Sequence, residues 1–340
     1  IALGARLVGG CCGTTPAQIA AIREAVDANR APREPYESAR PADIVLTSAA
    51  EGETRLERAF REGEWVVSIE LDPPKGGSLR GLVEVTRRLH ESGRIGFVDV
   101  NDNPMARARM NALVASATLQ REVGVETIPH VTPRDVTVMG LEGLLLGAHA
   151  EGVRNLLAVT GDPPHVGDYP GARGVYEIDS IGLVQLVSAL NRGEDYLGKT
   201  LDAPTSFFCG VAVNPTADDL ELELERFRRK LDAGARFAMT QALFELDSLE
   251  RFGDRLGGWP VPVLLGVWPL RSHTMALRLH PSRATTARRT APSLVRTRRG
   301  ERDPAHVAQW CGSKRQPCST WMTASPGINW GGSCAVTPGR

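Results

Sequence analysis

The chain has few cysteines, no net charge and no long apolar run, and each absence excludes a class of protein. Six Cys in 340 residues, most of them near the two ends, are too few for the disulfide framework of a secreted protein, so we expect a cytoplasmic protein. Forty basic and forty acidic residues create no overall field that would attract nucleic acid or a membrane surface. No apolar run reaches the roughly 18 residues of a membrane span, and no signal-peptide pattern opens the chain.

Apolar runs that alternate with helical patterns occupy most of the sequence. A 42% share of hydrophobic residues can bury a full core and leaves room for one barrel of about 250 residues with appendages. The runs are apolar on both faces, as in strands that helices cover. The alternation predicts an α/β fold, a parallel (β/α)8 TIM barrel that is incomplete because an eighth strand is not readable. The seven predicted strands span residues 65–71, 95–101, 125–131, 154–160, 206–213, 236–242 and 261–268.

Three of these strands end in a polar side chain that could do chemistry. Glu70 stands in V-V-S-I-E-L-D-P-P-K, Asp162 in N-L-L-A-V-T-G-D-P-P and Gln241 in R-F-A-M-T-Q-A-L-F. Because only the carboxyl ends of barrel strands and the loops after them converge on one mouth, we expect these side chains to form an enzyme site. Structural alternatives are a buried Glu70 held by a neighbouring Lys or Arg, an Asx turn at Asp162, and a Gln241 amide that satisfies buried backbone groups.

The two ends of the chain differ from this pattern. Residues 1–30 read as a strand, a Gly-rich turn and a helix, with Thr14 or Thr15 as the cap; we expect the remnant of a larger domain, because one such unit cannot bury its own apolar face. Residues 31–62 read as a linker and a short helix, and residues 63–280 as the barrel. Residues 281–340 hold nine Arg and one Lys against one Glu and one Asp. This segment shows no period, so we expect a low-order basic tail with the composition of a shifted reading frame.

Ordered motifs within residues 63–280 resemble the methylenetetrahydrofolate reductase family, whose members are flavin-dependent (β/α)8 barrels. A shorter motif, G-G-C-C-G-T-T-P at residues 9–16, resembles the end of a zinc-dependent homocysteine S-methyltransferase domain. The two in this order resemble a bifunctional protein cut inside its first domain. The reductase motifs are S-I-E-L-D-P-P-K (68–75), F-V-D-V-N-D-N-P (97–104), P-H-V-T (129–132), V-T-G-D-P-P (159–164), G-V-Y-E-I-D-S (174–180), K-L-D-A-G-A (230–235) and M-T-Q (239–241).

The resemblance implies an activity and a role for each candidate residue. The reaction would be FAD-dependent, ping-pong reduction of 5,10-methylenetetrahydrofolate to 5-methyltetrahydrofolate by NAD(P)H. Glu70 would be the general acid, Asp162 the charge beside flavin and pterin, and Gln241 the amide that holds the folate. Many relatives have Thr where this chain has Asn101, and Arg where it has Thr160. The residues implied to line the flavin are Asn101, His130, Thr160, Gly161, Asp162, Tyr176, Asp179 and Lys230.

The paired cysteines of the short motif raise the question of zinc. In the resembled methyltransferases Cys11 and Cys12 would be two of three thiolate ligands, and the third lies on an earlier strand that this sequence does not contain. Two thiolates do not complete a tetrahedral site, so the alternative of two ordinary small residues in a turn is favoured here. We therefore expect zinc only in an intact methyltransferase domain, and no homocysteine methylation by this chain.

The missing eighth strand leads to a further expectation and to rival functions. The first and seventh strands would keep unpaired edges that invite aggregation, so we expect impaired activity or a non-catalytic product. One rival function is nucleic-acid binding by the Arg-rich residues 283–302, which no aromatic platform supports. Another is a different flavin- or phosphate-binding chemistry on the same barrel. The choice between NADH and NADPH stays open, as does assembly into a homo-oligomer.

Overall fold

A computed structural model describes residues 15–28, 52–244 and 247–268, together with the backbone of 320–324. The chain forms two units, Ile1–Leu46 and Thr47–Arg340. The first contains helix α1 (Pro16–Ala28). The backbone N–H of Thr15 donates to Gln18 Oε1 at 2.7 Å, and the Gln18 N–H donates to Thr15 Oγ1 at 3.4 Å. This reciprocal arrangement identifies Thr15 as the capping residue, one of the two predicted, and the helix begins at Pro16. Cys11 and Cys12 lie outside the described residues.

The second unit is an α/β barrel in which seven parallel strands alternate with helices. Each strand pairs in parallel with the next along the chain, and each lies within its predicted run. The TIM-barrel prediction is confirmed. The strands are β1 (Val67–Leu71), β2 (Phe97–Val100), β3 (Glu126–Val131), β4 (Asn155–Ala158), β5 (Phe208–Val213), β6 (Phe237–Ala242) and β7 (Val263–Val267).

The strand order is closed by a segment that the sequence did not predict. Strand β8 (Thr320–Ala324) lies between β7 and β1 and pairs antiparallel with both. The prediction that β1 and β7 keep unpaired edges was therefore wrong. Residues 281–319 and 325–340 of the predicted low-order tail lie outside the described residues. Five residues, T-W-M-T-A, are too few to show a period inside a segment rich in Ser, Thr and Pro.

Helices cover the outside of the barrel, and one of them begins later than the sequence predicted. The helical pattern after the second strand predicts a helix over residues 106–122. Helix α4 begins instead at Ala112, because Asn111 Oδ1 accepts the N–H groups of Leu113 and Val114 at 3.0 and 3.2 Å. No described helix is long and apolar enough to cross a membrane. The helices of this unit are α2 (Arg55–Glu62), α3 (Arg80–Glu91), α4 (Ala112–Val123), α5 (Val138–Ala150), α6 (Ser180–Asn191), α7 (Leu220–Asp232) and α8 (Asp247–Leu256).

Helix α2 lies across the amino-terminal ends of the strands. Its first N–H groups, those of Arg55 and Leu56, donate to the Glu126 carboxylate at the start of β3, each at 3.0 Å. Its Phe60 packs on Phe208 and Phe237, with ring centroids 6.1 and 5.7 Å apart. These contacts join the helix to the apolar interior of the barrel. Helix α2 thus covers the amino-terminal ends of β3, β5 and β6.

Candidate active site

A cavity of 440 Å³ opens at the carboxyl ends of the strands, a volume within the usual range for small-molecule sites. Its wall includes Glu70 from β1, Asp162 from the loop after β4 and Gln241 from β6. These side chains, predicted from three separate strand ends, thus line one space. Five of the residues predicted to line the flavin also lie in the wall: Asn101, His130, Thr160, Gly161 and Lys230.

Glu70 is held by a neutral partner. The Asn101 side-chain amide donates to Glu70 Oε1 and to Asp72 Oδ1, both at 2.8 Å. The nearby cation, Arg109, pairs with Asp72 at 3.0 Å. Asp72 therefore has both an amide and a guanidinium partner. The Asn101–Glu70 pairing brings a residue predicted to act as the acid and one predicted to line the flavin into direct contact.

Asp99 is a buried acid directly beside Glu70 that our sequence analysis did not select. The two residues are register partners on β1 and β2, and Asp99 is fully buried. Ser68 Oγ donates to Asp99 Oδ2, while Asp99 Oδ1 has no hydrogen-bond partner in the described part of the chain. Burial raises the pKa of Asp99 well above its usual range, and the Glu70 charge raises it further, against the Ser68 hydrogen bond. An acid inside the otherwise apolar run F-V-D-V was the available signal.

Asp162 is anchored by residues far from it in the sequence. Its Oδ2 accepts the backbone N–H of Met105 at 2.8 Å, across 57 residues. Its carbonyl accepts the Tyr176 hydroxyl at 3.2 Å and Arg134 Nη1 at 3.2 Å. The carboxylate contact is thus long-range rather than the local Asx hydrogen bond of the structural alternative. Tyr176 itself is not among the residues that line the cavity. It contacts the cavity wall by the hydrogen bond from its hydroxyl to the Asp162 carbonyl.

Gly161 and Thr160 allow a close approach between neighbouring loops. Gly161 has a φ of +85°, and a Cβ there would lie 3.1 Å from the Thr132 side chain and 3.2 Å from Arg134 Nη1. Glycine is favoured there because any side chain would be strained by the conformation and crowded by both neighbours. Thr160 donates from Oγ1 to Ser180 Oγ at 3.1 Å. Many relatives have an Arg at the position of Thr160. In this chain a guanidinium lies beside the same strand end, but it belongs to Arg134, on the loop after β3. The sequence analysis did not select Arg134.

His130 presents a buried nitrogen to the site. Its Nε2 has no hydrogen-bond partner in the described part of the chain. Burial lowers the pKa of His130, although the nearby Glu70 and Asp72 charges oppose that shift. The imidazole therefore favours its neutral form. Since buried polar atoms nearly always find a partner, Nε2 is suited to a ligand or to water.

Helix α7 contributes basic side chains to the opposite wall. Lys230 is buried, at 6% exposure, and is not an exposed helix charge. Its Nζ donates to the Ala212 carbonyl at 2.6 Å, and burial lowers the pKa of Lys230. Arg226 and Glu223, on the same face of α7, also line the cavity. The sequence analysis missed both, although their spacing of four and seven residues from Lys230 was a usable signal.

Asp179 and Gln241 differ in the hydrogen bonds that their side chains make to nearby residues. Asp179 caps α6, where its Oδ1 accepts the N–H groups of Ile181 and Gly182 at 2.9 Å each. Asp179 is not among the cavity-lining residues, and a flavin contact for it stays a prediction. The Gln241 amide lines the cavity and makes no hydrogen bond to the described residues. The alternative that this amide serves buried backbone groups is not supported.

Residues 55–288 match the sequence model of methylenetetrahydrofolate reductase. The chain belongs to the methylenetetrahydrofolate reductase family. Residues 1–26 match the model of homocysteine S-methyltransferase, which fits the predicted bifunctional origin. Both resemblances inferred from the motifs are thus confirmed.

Curated relatives of this reductase family share about a quarter of their aligned residues with the chain. Methylenetetrahydrofolate reductase 2 of Saccharomyces cerevisiae is 26% identical over 228 residues, which cover 64% of this chain and 36% of that protein. A probable methylenetetrahydrofolate reductase (NADH) of Oryza sativa is 27% identical over 66% of this chain and 38% of its own length. The 5,10-methylenetetrahydrofolate reductase of Salmonella typhimurium is 27% identical over 63% of this chain and 68% of its own length. The chain therefore spans little more than a third of the yeast and rice relatives.

Proposed function

We propose that this chain reduces 5,10-methylenetetrahydrofolate to 5-methyltetrahydrofolate, with FAD as cofactor and NAD(P)H as reductant. The observation that carries the proposal is the meeting of Glu70, Asp162 and Gln241 in one cavity of a chain that belongs to the reductase family. Two acidic groups and an amide around one opening match the needs of a substrate that becomes cationic as its ring opens.

The residues of the cavity fit FAD. Lys230 and Arg226 place two cations on one wall, as a pyrophosphate requires. His130 Nε2 is buried without a partner among the described residues, so it could hydrogen-bond to the flavin. When bound, FAD would supply hydride transfer between NAD(P)H and the folate.

The chain's own residues would manage the proton and the charge. Glu70 would donate a proton to the folate nitrogen that separates from the methylene carbon, and Asn101 would orient the carboxyl for that transfer. The Asp162 carboxylate would stabilise the positive charge of the opened iminium. Gln241 would hold the pterin through its amide, which has no partner among the described residues.

A flavin spectrum tests the proposal directly. The purified chain is titrated with FAD, reduced without oxygen by NADH or NADPH, and then mixed with 5,10-methylenetetrahydrofolate. We expect the flavin band to bleach with the nicotinamide and to return with the folate, and the faster of the two nicotinamides identifies the reductant. A bound flavin that bleaches but does not recover with folate would indicate another reductase chemistry. Failure to take up FAD would refute the cofactor assignment.

The turnover number in the same assay tests the predicted impairment, which the barrel edges no longer support because β8 pairs with β1 and β7. Full turnover by a monodisperse protein would contradict the prediction of a compromised product. Size-exclusion chromatography of that sample gives the oligomeric state, which the sequence leaves open.

A further inference from the structure

Arg134 is a buried cation that connects three loops of the cavity wall. It follows β3 and is 1% exposed. Its guanidinium donates to the Asp135 carboxylate at 3.0 and 2.8 Å, to the Asn103 carbonyl at 3.3 Å and to the Asp162 carbonyl at 3.2 Å. These acceptors lie on the loops after β2, β3 and β4. A planar group with five donors can serve all of them at once, whereas a Lys ammonium has three donors from a single nitrogen.

The Arg134 contacts form part of a closed circuit that includes the Asp162 carboxylate. Arg134 holds the Asp162 backbone through its carbonyl, and it holds the loop after β2 through the Asn103 carbonyl. That loop supplies the Met105 N–H, which donates to Asp162 Oδ2 at 2.8 Å. The direction of the Asp162 carboxylate therefore depends on the loops after β2 and β4. The Arg134 guanidinium sets the distance between these two loops.

The backbone of the loop after β2 needs such support. Asn103 and Met105 have φ values of 43° and 56°, a left-handed conformation that non-glycine residues rarely adopt. Strained conformations of this kind persist only where the surroundings fix them. The Asp135 carboxylate compensates the buried charge of Arg134, and this hydrogen-bonded pair lowers the pKa of Asp135. The buried Arg134, paired with Asp135, holds the strained loop after β2 against Asp162.

We propose that Arg134 is a positioning residue, which fixes the direction of the Asp162 carboxylate through the loop at Asn103–Met105. Its consequence for catalysis rests on the proposed function, in which Asp162 stabilises the folate cation. The effect of Arg134 on the order of the loop does not depend on the proposed function. The loop order can therefore be measured on the protein without any ligand.

Amide hydrogen exchange of the ligand-free chain tests the structural part. Arg134→Lys should speed exchange by about tenfold or more in peptides that cover residues 103–110 and 162–168, since it removes hydrogen bonds made by a charged group. Peptides from α7 should not change. Arg107→Lys, an exposed substitution in the same loop, is the matched control and should leave all peptides unchanged.

A second variant covers the case in which Arg134→Lys does not fold. Asp162→Ala removes the acceptor of the Met105 N–H and should also speed exchange at residues 103–110. Unchanged exchange in this segment, in either folded variant, would overturn the proposal. These results stand even if the wild-type chain fails to reduce folate, so failure of the positioning role and failure of the proposed function are distinguishable.

Kinetics of an active chain test the link to Asp162. Arg134→Lys should lower kcat for folate reduction about tenfold and leave KM for the folate and the FAD affinity nearly unchanged. Adding Arg134→Lys to Asp162→Asn should cost little beyond Asp162→Asn alone, because the two residues act through one carboxylate. Fully additive losses would contradict a role through Asp162.

Discussion

The Asn101 amide donates to Glu70 Oε1 at 2.8 Å and, from the same nitrogen, to Asp72 Oδ1 at 2.8 Å. One neutral side chain therefore stands between two carboxylates. Asp72 also has a cation, Arg109, at 3.0 Å. Glu70 lines the cavity and Asp72 does not, so Glu70 is the better candidate for proton transfer.

Glu70→Gln should affect one half-reaction only. Without a proton donor, reduction of methylenetetrahydrofolate by the reduced flavin should slow by about 10²- to 10⁴-fold. Reduction of the flavin by NAD(P)H needs no such proton and should keep its rate. Stopped-flow absorbance measures each half-reaction separately, and exposed Glu64→Gln is the control. Equal losses in the two half-reactions would argue against the acid role.

Asp99→Asn should change how stability depends on pH. Because the pKa of Asp99 is raised in the folded state, the folded chain keeps a proton that the unfolded chain releases once the pH exceeds the usual Asp value. The stability that protonated Asp99 contributes at low pH is therefore lost as the pH rises toward the pKa of Asp99 in the folded chain. Asn cannot ionise, so the variant avoids this loss.

We expect the stability of Asp99→Asn relative to wild type to increase between pH 5 and 8, by at most about 1.4 kcal/mol per pH unit. Urea unfolding at several pH values measures this difference. Asp254→Asn, at an exposed carboxylate, should give no such trend. A constant difference between wild type and Asp99→Asn across the range would show that Asp99 is ionised in both states.

Lys230→Met should weaken FAD binding. A buried ammonium in the cavity wall is expected to interact with the pyrophosphate, and a hydrogen bond to a charged group contributes about 1.5–3 kcal/mol. The dissociation constant should rise by one to two orders of magnitude, as measured by fluorescence titration. Arg229→Met removes an adjacent, exposed charge and serves as the control. Similar effects of the two substitutions would indicate a general charge effect rather than a contact.

Glu126→Ala should destabilise the barrel without changing the cavity. It removes the acceptor of the Arg55 and Leu56 N–H groups and of the Asn155 side-chain amide, which lies 2.6 Å from Glu126. We expect a loss of about 2–4 kcal/mol in the free energy of unfolding, because several donors lose their partner at once. Urea unfolding checks the loss, with exposed Glu122→Ala as the control. Altered FAD affinity in a fully folded Glu126→Ala sample would contradict a purely structural role.

Local patterns predicted most of the fold, and their failures have local explanations. Strands such as β5 and β7 are short apolar runs between helical segments, so neighbouring residues specify them. Helix α4 was placed too early, because its start depends on the Asn111 cap and on the unusual backbone at Met105. Strand β8 was missed because its partners, β1 and β7, lie far from it in the sequence.

The sequence by itself determined that Glu70, Asp162 and Gln241 stand at strand ends, since the apolar runs and the residues that follow them are read directly from the chain. Only the tertiary structure decided what these residues contact. The Asn101–Glu70 pair spans 31 residues and the Met105–Asp162 pair spans 57. The same holds for Asp99 and Arg134, whose importance comes from burial and from partners on other strands. Barrel closure brings these distant segments together, and no local pattern encodes which loops will meet at its mouth.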